Sequence, residues 1–428
     1  SPSMAGVTRL WLPLAGSWLM MALELPALSA VVARLPEAET HLAAYGSVAF
    51  PLALIIEAPI IMLLSASTAL SKDQAAYRAL RRFADRAGLI LTVLHAALAF
   101  TPLFDWLVVP VMEVPDEIVE PARLCLKILL PWTWAIASRR FHQGVIIRAG
   151  RGRAVTIGTA IRIATHFVIL GGGYVLQLPG VVVAATAVSC AVTAEAIYAA
   201  VVAIPIRNEL PPGTPDDPPL RGWAFTQFYA PLALTSLITL VAQPLCTAAM
   251  SRMPGALDSL AVWPVVSGLL FILQSMGLAL QEVVVSKASQ REWRPYLVRF
   301  SALLAVSTGT VVLIVSFTPL ANFWFRTVSG LEVDLAALGA GALWLGVVVP
   351  MGRAMQSLFQ GILVDARKTR AVTESVVVFL FVCGAVLVAG VQMQWGIGLR
   401  TGLIAFSLGR LVQTLWVALR ARQLGVLG

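Results

Sequence analysis

The sequence predicts an all-α integral membrane protein with twelve transmembrane helices, arranged as two parallel six-helix repeats. Three observations predict this fold: 58% of the 428 residues are hydrophobic and only 12% are charged, long apolar runs recur along the chain, and the second half repeats the first. Soluble domains carry about 25% charged residues. With a mean hydropathy of +0.84, this chain has too little polar surface to be soluble and too much apolar surface to be disordered.

Twelve apolar segments are long enough to cross a bilayer, for which a helix needs roughly 20 residues. The segments are separated by short loops that contain most of the prolines and charges. We place the spans near residues 9–32, 43–69, 87–109, 118–147, 154–177, 180–204, 226–250, 257–285, 299–324, 335–364, 371–392 and 396–419.

The loops alternate between basic and acidic or neutral character. Twenty of the 31 Lys and Arg residues lie in the loops and ends of one side, and three lie on the other side. The positive-inside rule therefore places both termini in the cytoplasm. This asymmetry accounts for most of the +9 net charge, so no nucleic-acid partner is expected. The largest basic group lies between the second and third spans and comprises Lys72, Arg78, Arg81, Arg82 and Arg86.

An internal repeat covers most of the chain. An offset of 218 aligns residues 13–43 with residues 231–261 and places Pro26 on Pro244. An offset of 217 then aligns residues 100–103, with the sequence FTPL, on an identical tetrapeptide at residues 317–320. Such self-similarity is typical of duplicated architectures. Because six is an even number, both copies have the same orientation, which predicts a pseudo-two-fold axis along the membrane normal.

The repeat predicts two lobes and a tether. The N-lobe, with helices 1–6, covers residues 1–207; a proline-rich cytoplasmic linker covers residues 208–222; the C-lobe, with helices 7–12, covers residues 223–428. Two parallel lobes with a polar tether are typical of alternating-access transporters. Duplicated helical bundles also form channels and scaffolds, which remain the alternatives from architecture alone.

Ionisable residues within the spans are the candidates for function. Such a residue costs at least about 2.5–3.5 kcal/mol at bilayer depth, so it usually faces an aqueous cavity or a partner. Glu24 and Glu57 are candidate coupling or ion-pair carboxylates. The candidate substrate-binding residues lie on polar faces of helices 4, 5, 10 and 12, and are Arg139, Arg140, Arg162, His166, Arg353, Gln356, Gln360 and Arg410.

The sign of these interior charges indicates the substrate class. Interior cations outnumber interior glutamates, which favours carboxylates or phosphates because the Arg guanidinium matches both geometrically. A cavity for organic cations needs carboxylates and aromatic rings instead. Two bland alternatives stay open: Arg139 and Arg140 can extend to the cytoplasmic headgroups, and either glutamate can be the fixed partner of an arginine.

Prolines within the first helix of each repeat predict bends. Pro26 and Pro244 each remove a backbone donor inside a helix, which frees a carbonyl and favours a kink. Pro26 lies two residues from Glu24, so protonation of that carboxylate can be coupled to a bend. A static kink is the alternative interpretation.

Motifs of catalysis are missing from the sequence. It contains no GxxxxGK[ST], HExxH or GxSxG pattern, and its four cysteines lie in apolar runs without CxxC spacing. No enzymatic activity, cofactor or metal site is therefore expected.

Short motifs give the sequence a family resemblance. Twelve helices in two repeats, with a proline in the first helix of each, resemble the multidrug and toxic compound extrusion (MATE) fold of the multidrug, oligosaccharidyl-lipid and polysaccharide (MOP) exporter superfamily. A closer resemblance is to the progressive ankylosis protein family. It depends on residues 42–46 (LAAYG), residues 231–234 (PLAL), Pro244, and residues 251–252 (SR). That resemblance implies efflux of anionic metabolites such as citrate, nucleotides and pyrophosphate.

Together these observations predict a bacterial inner-membrane exporter of organic or phosphorylated anions that works by alternating access. Its expected partners are a small anionic substrate and membrane lipids, with a coupling ion as a further candidate. A cation-coupled multidrug exporter of the same fold and a lipid-linked precursor flippase are the rival hypotheses, and a non-transporting scaffold comes last.

Overall fold

A computed structural model describes residues 2–213, 219, 221–366, 368 and 370–426, and the regular elements of these residues are all helical. Two 3-10 helices, Arg291–Trp293 and Leu343–Gly346, and three π-helical segments, Ala43–Ala49, Leu107–Val111 and Phe323–Val328, connect the α-helices. In chain order the α-helices are α1 Met4–Ala22, α2 Glu24–Val32, α3 Ala38–Leu42, α4 Phe50–Ile61, α5 Leu63–Leu70, α6 Gln74–Phe100, α7 Leu103–Trp106, α8 Asp116–Arg148, α9 Gly152–Val175, α10 Gly180–Glu209, α11 Gly222–Ser251, α12 Ala256–Lys287, α13 Arg294–Phe317, α14 Leu320–Asn322, α15 Val333–Ala342, α16 Val348–Asp365, α17 Arg370–Met393 and α18 Gly398–Gln423.

Among the described residues, eleven segments are long and apolar enough to cross a membrane. The remaining predicted span corresponds to α8, which has 33 residues. At 1.5 Å per residue it is long enough for a hydrocarbon core of about 30 Å. It packs against α5, α6 and α10, and its Arg139 is buried, whereas Asp116, Glu117 and Arg148 near its ends are exposed. The predicted all-α, twelve-helix membrane architecture is confirmed.

The first span is broken between α1 and α2 at Leu23. Pro26 has no N–H, so the carbonyl of Ala22 lacks its usual helical donor, and the first helix ends there. The corresponding proline of the second repeat behaves differently, because α11 continues through Pro244 without interruption. Of the two prolines predicted to bend a helix, Pro26 therefore lies beside a helix break, and Pro244 lies within a continuous helix.

The end of the third span shows the repeat in three dimensions. The Thr101 hydroxyl donates to the carbonyl oxygen four residues earlier (2.6 Å), and the Thr318 hydroxyl does the same (2.6 Å). Each threonine ends its helix in an extended conformation and is followed by a short α-helix and a π-helical segment. Identical tetrapeptides 217 residues apart thus build the same local structure.

A second repeated contact anchors the sixth span of each repeat. The His41 ring accepts a hydrogen bond at Nδ1 from the first backbone N–H of α10, at Gly180 (2.9 Å). Ser259, which lies 218 positions after His41, accepts from the Leu399 N–H at the start of α18 (3.1 Å). Different side chains at matching positions of the repeat thus satisfy an unpaired N–H group in the first turn of each helix, in agreement with the two-repeat architecture.

The chain folds into two compact units that do not follow the repeat boundary. The N-unit is Leu35–Pro244, and the C-unit combines Ser1–Arg34 with Leu245–Gly428. Within the C-unit, the Trp11 indole donates to the Met276 carbonyl (2.9 Å). The first span therefore packs with helices α12–α18. The lobe boundaries that the repeat predicts, with the first span in residues 1–207, stay a prediction.

The connection between the repeats is shorter than predicted, because α10 continues to Glu209 and α11 begins at Gly222. Its first residues pack on the start of α6, where the Gln74 N–H donates to the Pro211 carbonyl (2.9 Å). Residues 214–218 and 220 of the predicted linker, and Arg367 of a predicted cytoplasmic loop, lie outside the described residues.

Candidate functional site

A buried carboxylate organises the polar centre of the N-unit. Glu195 of α10 is 1% exposed and pairs with Arg139 Nη1 at 2.7 Å and with Arg162 Nη1 at 3.4 Å. Its Oε1 accepts a hydrogen bond from Gln143 Nε2 (2.9 Å). We call Arg139, Gln143, Arg162 and Glu195 the Glu195 cluster. Two predicted substrate-binding arginines are thus held by a carboxylate.

Helical spacing brings these donors to one point. Arg139 and Gln143 lie four residues apart on α8, so their side chains share one face of that helix. Arg162 projects from α9, and Glu195 projects from α10. Because α10 packs closely against both α8 and α9, one carboxylate receives donors from two neighbouring helices.

Two further charged residues lie beside this cluster. Arg140 follows Arg139 on α8, and Glu57 of α4 is 1% exposed. The charges of Arg139 and Arg140 both act on the Glu57 carboxylate. Glu57 Oε1 and Arg140 Nε are buried atoms without a hydrogen-bond partner in the described part of the chain. Each group thus keeps one buried polar atom with which a ligand could form a hydrogen bond.

His166 lies one helical turn after Arg162 on α9 and is 2% exposed. Its ring meets the Phe167 ring edge-on at a centroid distance of 6.1 Å. The predicted polar face of the fifth span therefore exists, and most of its surface is covered within the protein.

The polar centre of the C-unit is built around an arginine. Arg410 of α18 donates through Nη1 to Gln356 Oε1 (2.6 Å) and to Gln413 Oε1 (3.0 Å). Its guanidinium carbon lies over the Phe379 ring, 5.2 Å from the centroid. We call Gln356, Phe379, Arg410 and Gln413 the Arg410 cluster.

A second arginine approaches this cluster from α16. Arg353 is half-buried, and its charge acts on Arg410. Gln360 lies on the same helix and is 5% exposed. Within the described residues, no carboxylate lies within 4.0 Å of the nitrogens of Arg353 or Arg410. With Arg353 added, the Arg410 cluster holds two cationic side chains, and the hydrogen-bonding neighbours of Arg410 are neutral amides.

The two clusters occupy equivalent places in the two repeats. The offset of 217 places Arg139 on Gln356 and Arg162 on Phe379. In the N-unit the central charge on the sixth span is negative and its neighbours are donors. In the C-unit the central charge on the twelfth span is positive and its neighbours are acceptors and an aromatic face.

The predicted carboxylates and prolines lie apart from one another. Glu24 is the first residue of α2 in the C-unit and is half-buried, whereas Glu57 belongs to the N-unit. Pro26 packs in the C-unit, where an added Cβ at Gly268 would lie 3.3 Å from its Cγ. Pro244 lies at the boundary of the N-unit within α11.

Sequence reasoning identified the arginines but not all their partners. Gln413 and Phe379 were missed, although Gln413 lies three residues after Arg410 and so shares its helix face. The interior His95 also has hydrogen-bond partners, since its ring bonds Thr133 Oγ1 (2.8 Å) and the Leu126 carbonyl oxygen (2.9 Å).

Comparisons with known proteins agree on the fold. No family model and no curated protein sequence matches the chain. A structure described as the inward-facing conformation of a multidrug resistance MATE family transporter of the MOP superfamily superimposes with a TM-score of 0.72, at 16% identity over 95% of each chain. A MOP superfamily transporter from Pyrococcus furiosus, described as having a binding pocket of reverse polarity, matches with a TM-score of 0.67, at 16% identity over 98% of this chain and 95% of that chain.

A third solved structure, the lipid II flippase MurJ in an inward closed conformation, gives a TM-score of 0.72 at 11% identity. That match covers 95% of this chain and 86% of the flippase. These identities are too low to carry an activity from one protein to another. In all three cases the superposition covers at least 95% of this chain. The chain therefore has the fold of the MATE transporters of the MOP superfamily.

Proposed function

We propose that this protein is an alternating-access membrane transporter that exports organic or phosphorylated anions. The observation that carries the proposal is the Arg410 cluster, in which Arg353 and Arg410 have no carboxylate partner among the described residues. Leaving two arginines uncompensated at membrane depth is costly, so such a pair indicates a site that a negatively charged ligand completes.

The chemistry of the cluster fits carboxylate or phosphate groups. Gln356 and Gln413 both accept from Nη1 of Arg410, which leaves other guanidinium donors to bind a ligand. Arg410 Nε is a buried donor without a hydrogen-bond partner in the described chain. A guanidinium presents paired donors in a fixed plane, which matches two oxygens of a carboxylate or phosphate. Arg353 supplies a second positive charge for a multivalent anion.

The N-unit also favours an anion. Arg139, Arg140 and Arg162 lie with Glu57 and Glu195 in one buried group, which leaves one net positive charge when all are ionised. We assign Glu195 a structural role as the fixed partner of Arg139 and Arg162. Arg140, Glu57 and His166 are then the residues of this unit left to contact a substrate or coupling ion, and Glu24 is the corresponding candidate in the C-unit.

Family considerations support the same substrate class. The short motifs that resemble the progressive ankylosis family imply efflux of citrate-, nucleotide- or pyrophosphate-like anions. The reverse-polarity pocket described for the Pyrococcus furiosus transporter supports the idea that the polarity of the pocket varies within this fold. The basic loops support a bacterial inner-membrane location with cytoplasmic termini.

A lipid-linked precursor flippase is the second candidate. The similarity to the lipid II flippase MurJ favours it, because a cationic cavity also suits a lipid carrying anionic groups. A cation-coupled multidrug exporter has less support, since a cavity for lipophilic cations needs carboxylates that are not offset by arginines. In the N-unit Glu195 pairs with two arginines, and the charges of Arg139 and Arg140 act on Glu57.

Uptake into inverted membrane vesicles tests the proposal. Labelled citrate, labelled pyrophosphate and a labelled lipophilic cation are compared in vesicles that contain the wild-type protein or the Arg353→Ala/Arg410→Ala variant. We expect anion uptake by the wild type and its loss in the variant. Uptake of the cation alone would favour the multidrug alternative, and translocation of a fluorescent lipid-linked pyrophosphate without soluble anion uptake would favour the flippase.

A further inference from the structure

A second cationic site lies within the N-unit, away from the Glu195 cluster. Residues from the α5–α6 connection, α6 and the start of α11 enclose a cavity of about 500 Å³. Its rim carries Lys72, Arg82, Arg86 and Arg221. Its floor is apolar and includes Leu80, Phe83 and Phe225, so the cavity combines a cationic rim with an apolar base.

The aromatic base is preorganised. The rings of Phe83 and Phe225 meet edge-on at a centroid distance of 4.6 Å, and Tyr229 packs against both, at 5.0 Å and 5.6 Å. The Tyr229 hydroxyl donates to the Pro59 carbonyl oxygen, and this hydrogen bond holds the Tyr229 ring in place. The floor therefore exists before any ligand binds.

Helical periodicity produces the rim. Arg82 and Arg86 lie four residues apart on α6, so they project along one edge of the face that carries Phe83. Both side chains are exposed, as is Arg221 just before α11. Among the described residues that line the cavity, none is acidic. Two acidic side chains of the described segment 73–85 have their own partners: Asp85 pairs with Arg81, and Asp73 caps α6.

The place of this cavity in the fold defines its surroundings. Lys72 connects two membrane-spanning segments, and Arg221 precedes a third, so the cavity opens where spans end and lipid headgroups begin. Basic pockets between spanning helices at this level bind anionic lipid headgroups. An apolar floor gives no advantage to a free phosphate ion, but it suits the glycerol and upper acyl carbons of a phospholipid.

We propose that this cavity is a binding site for the phosphate headgroup of an anionic phospholipid, held by Arg82, Arg86, Lys72 and Arg221. The proposal is independent of the transported substrate. All the binding residues lie on α6 or just before α6 and α11, and none belongs to the Arg410 cluster. The lipid would secure the start of α11 against α6, on the side of the chain where basic loops concentrate.

Native mass spectrometry of the purified full-length protein tests the site. The probes are dioleoyl phosphatidylglycerol, dioleoyl phosphatidylcholine and soluble glycerol 3-phosphate. We expect saturable phosphatidylglycerol binding that weakens roughly thirtyfold in Arg82→Gln/Arg86→Gln, since each basic residue near an anionic surface contributes about a factor of five. The matched control Arg78→Gln/Arg153→Gln removes two exposed charges that do not line the cavity, and it should bind like the wild type.

The alternatives give different results. Equal loss in the control variant, or unchanged binding in Arg82→Gln/Arg86→Gln, would overturn the proposal. Glycerol 3-phosphate binding as tight as that of the lipid would show a soluble phosphate site instead. If the α6 variant does not fold, Lys72→Gln/Arg221→Gln tests the same rim from other elements. Repeating the titration in Arg353→Ala separates this site from the transport proposal, because lipid binding should be unchanged there.

Discussion

The Glu195 cluster and the Arg410 cluster occupy equivalent positions in the two repeats and have opposite electrostatic design. In the N-unit, a buried carboxylate accepts from Arg139, Arg162 and Gln143. In the C-unit, Arg410 donates to two neutral amides and lies over an aromatic ring. In the N-unit a carboxylate offsets one of the two arginine charges, whereas in the C-unit no carboxylate among the described residues pairs with Arg410.

This difference separates two roles that interior arginines can have. A buried ion pair with a short bond holds helices together, and removal of one partner leaves an uncompensated charge. An arginine whose neighbours are neutral keeps its electrostatic attraction for an external anion. The comparison therefore predicts that the N-unit cluster governs stability, whereas the C-unit cluster governs substrate binding.

The largest effect on stability is expected from Glu195→Gln. This change keeps the shape of the side chain but removes the carboxylate charge that pairs with Arg139 and Arg162, which should lower the free energy of unfolding by about 3 kcal/mol. Thermal denaturation in detergent measures it. The control Glu209→Gln breaks the exposed pair with Arg151 and should stay within about 0.5 kcal/mol of the wild type. Equal melting temperatures for both variants would remove the structural role of Glu195.

Transport should respond most to the arginines of the C-unit. Arg410→Ala or Arg353→Ala should each lower the affinity for the transported anion by at least about tenfold, because a charged hydrogen bond contributes about 1.5–3 kcal/mol. Membrane insertion should persist, and proteoliposome uptake together with membrane abundance measures both properties. Normal transport by both variants would show that the anion site lies elsewhere. If neither variant accumulates in the membrane, Arg353 and Arg410 have a structural role in ion pairs instead.

A smaller effect is expected from Gly352→Ala. The added Cβ would lie 2.5 Å from Cγ of Arg410, so that side chain must move away from Gln356. Overpacking of this kind costs about 1–3 kcal/mol, and we expect a severalfold loss of anion affinity in uptake assays. Gly384→Ala on α17 is the matched control, because its Cβ would meet nothing within 4 Å. An unchanged affinity in Gly352→Ala would argue against the observed placement of Arg410.

The mildest change is expected from Glu57→Gln. If Glu57 is a fixed countercharge for Arg139 and Arg140, its removal strengthens the attraction for anions by a few-fold and leaves the pH profile of transport unchanged. Glu24→Gln provides the parallel test in the C-unit. Uptake measured from pH 5.5 to pH 8.5 distinguishes the roles, since loss of pH dependence in either variant would identify a proton carrier.

Composition and periodicity determined the fold of this protein. The apolar runs predicted membrane spans, and the helices of the structure are long and apolar enough to be such spans. The duplicated motifs predicted two copies of one unit, and Thr101 and Thr318 form the same hydrogen bond in each copy. These properties are local, since backbone hydrogen bonds within each helix satisfy its polar groups in lipid whatever its neighbours are. For the same reason, the interior arginines were recognisable by depth alone.

Only the tertiary structure decided which of those arginines are neutralised. Arg139 and Glu195 are separated by 56 residues, and Arg410 and Gln356 by 54 residues, so no spacing rule connects them. The structure also groups the first span with the C-unit, a packing relation that the repeat does not contain. Helix-to-helix packing selects such partners through shape and side-chain length over long sequence distances, and a one-dimensional pattern contains neither. The sequence therefore shows which interior residues are charged. Which of these charges have an oppositely charged partner depends on the packing of α8, α9 and α10 in one unit and of α16, α17 and α18 in the other.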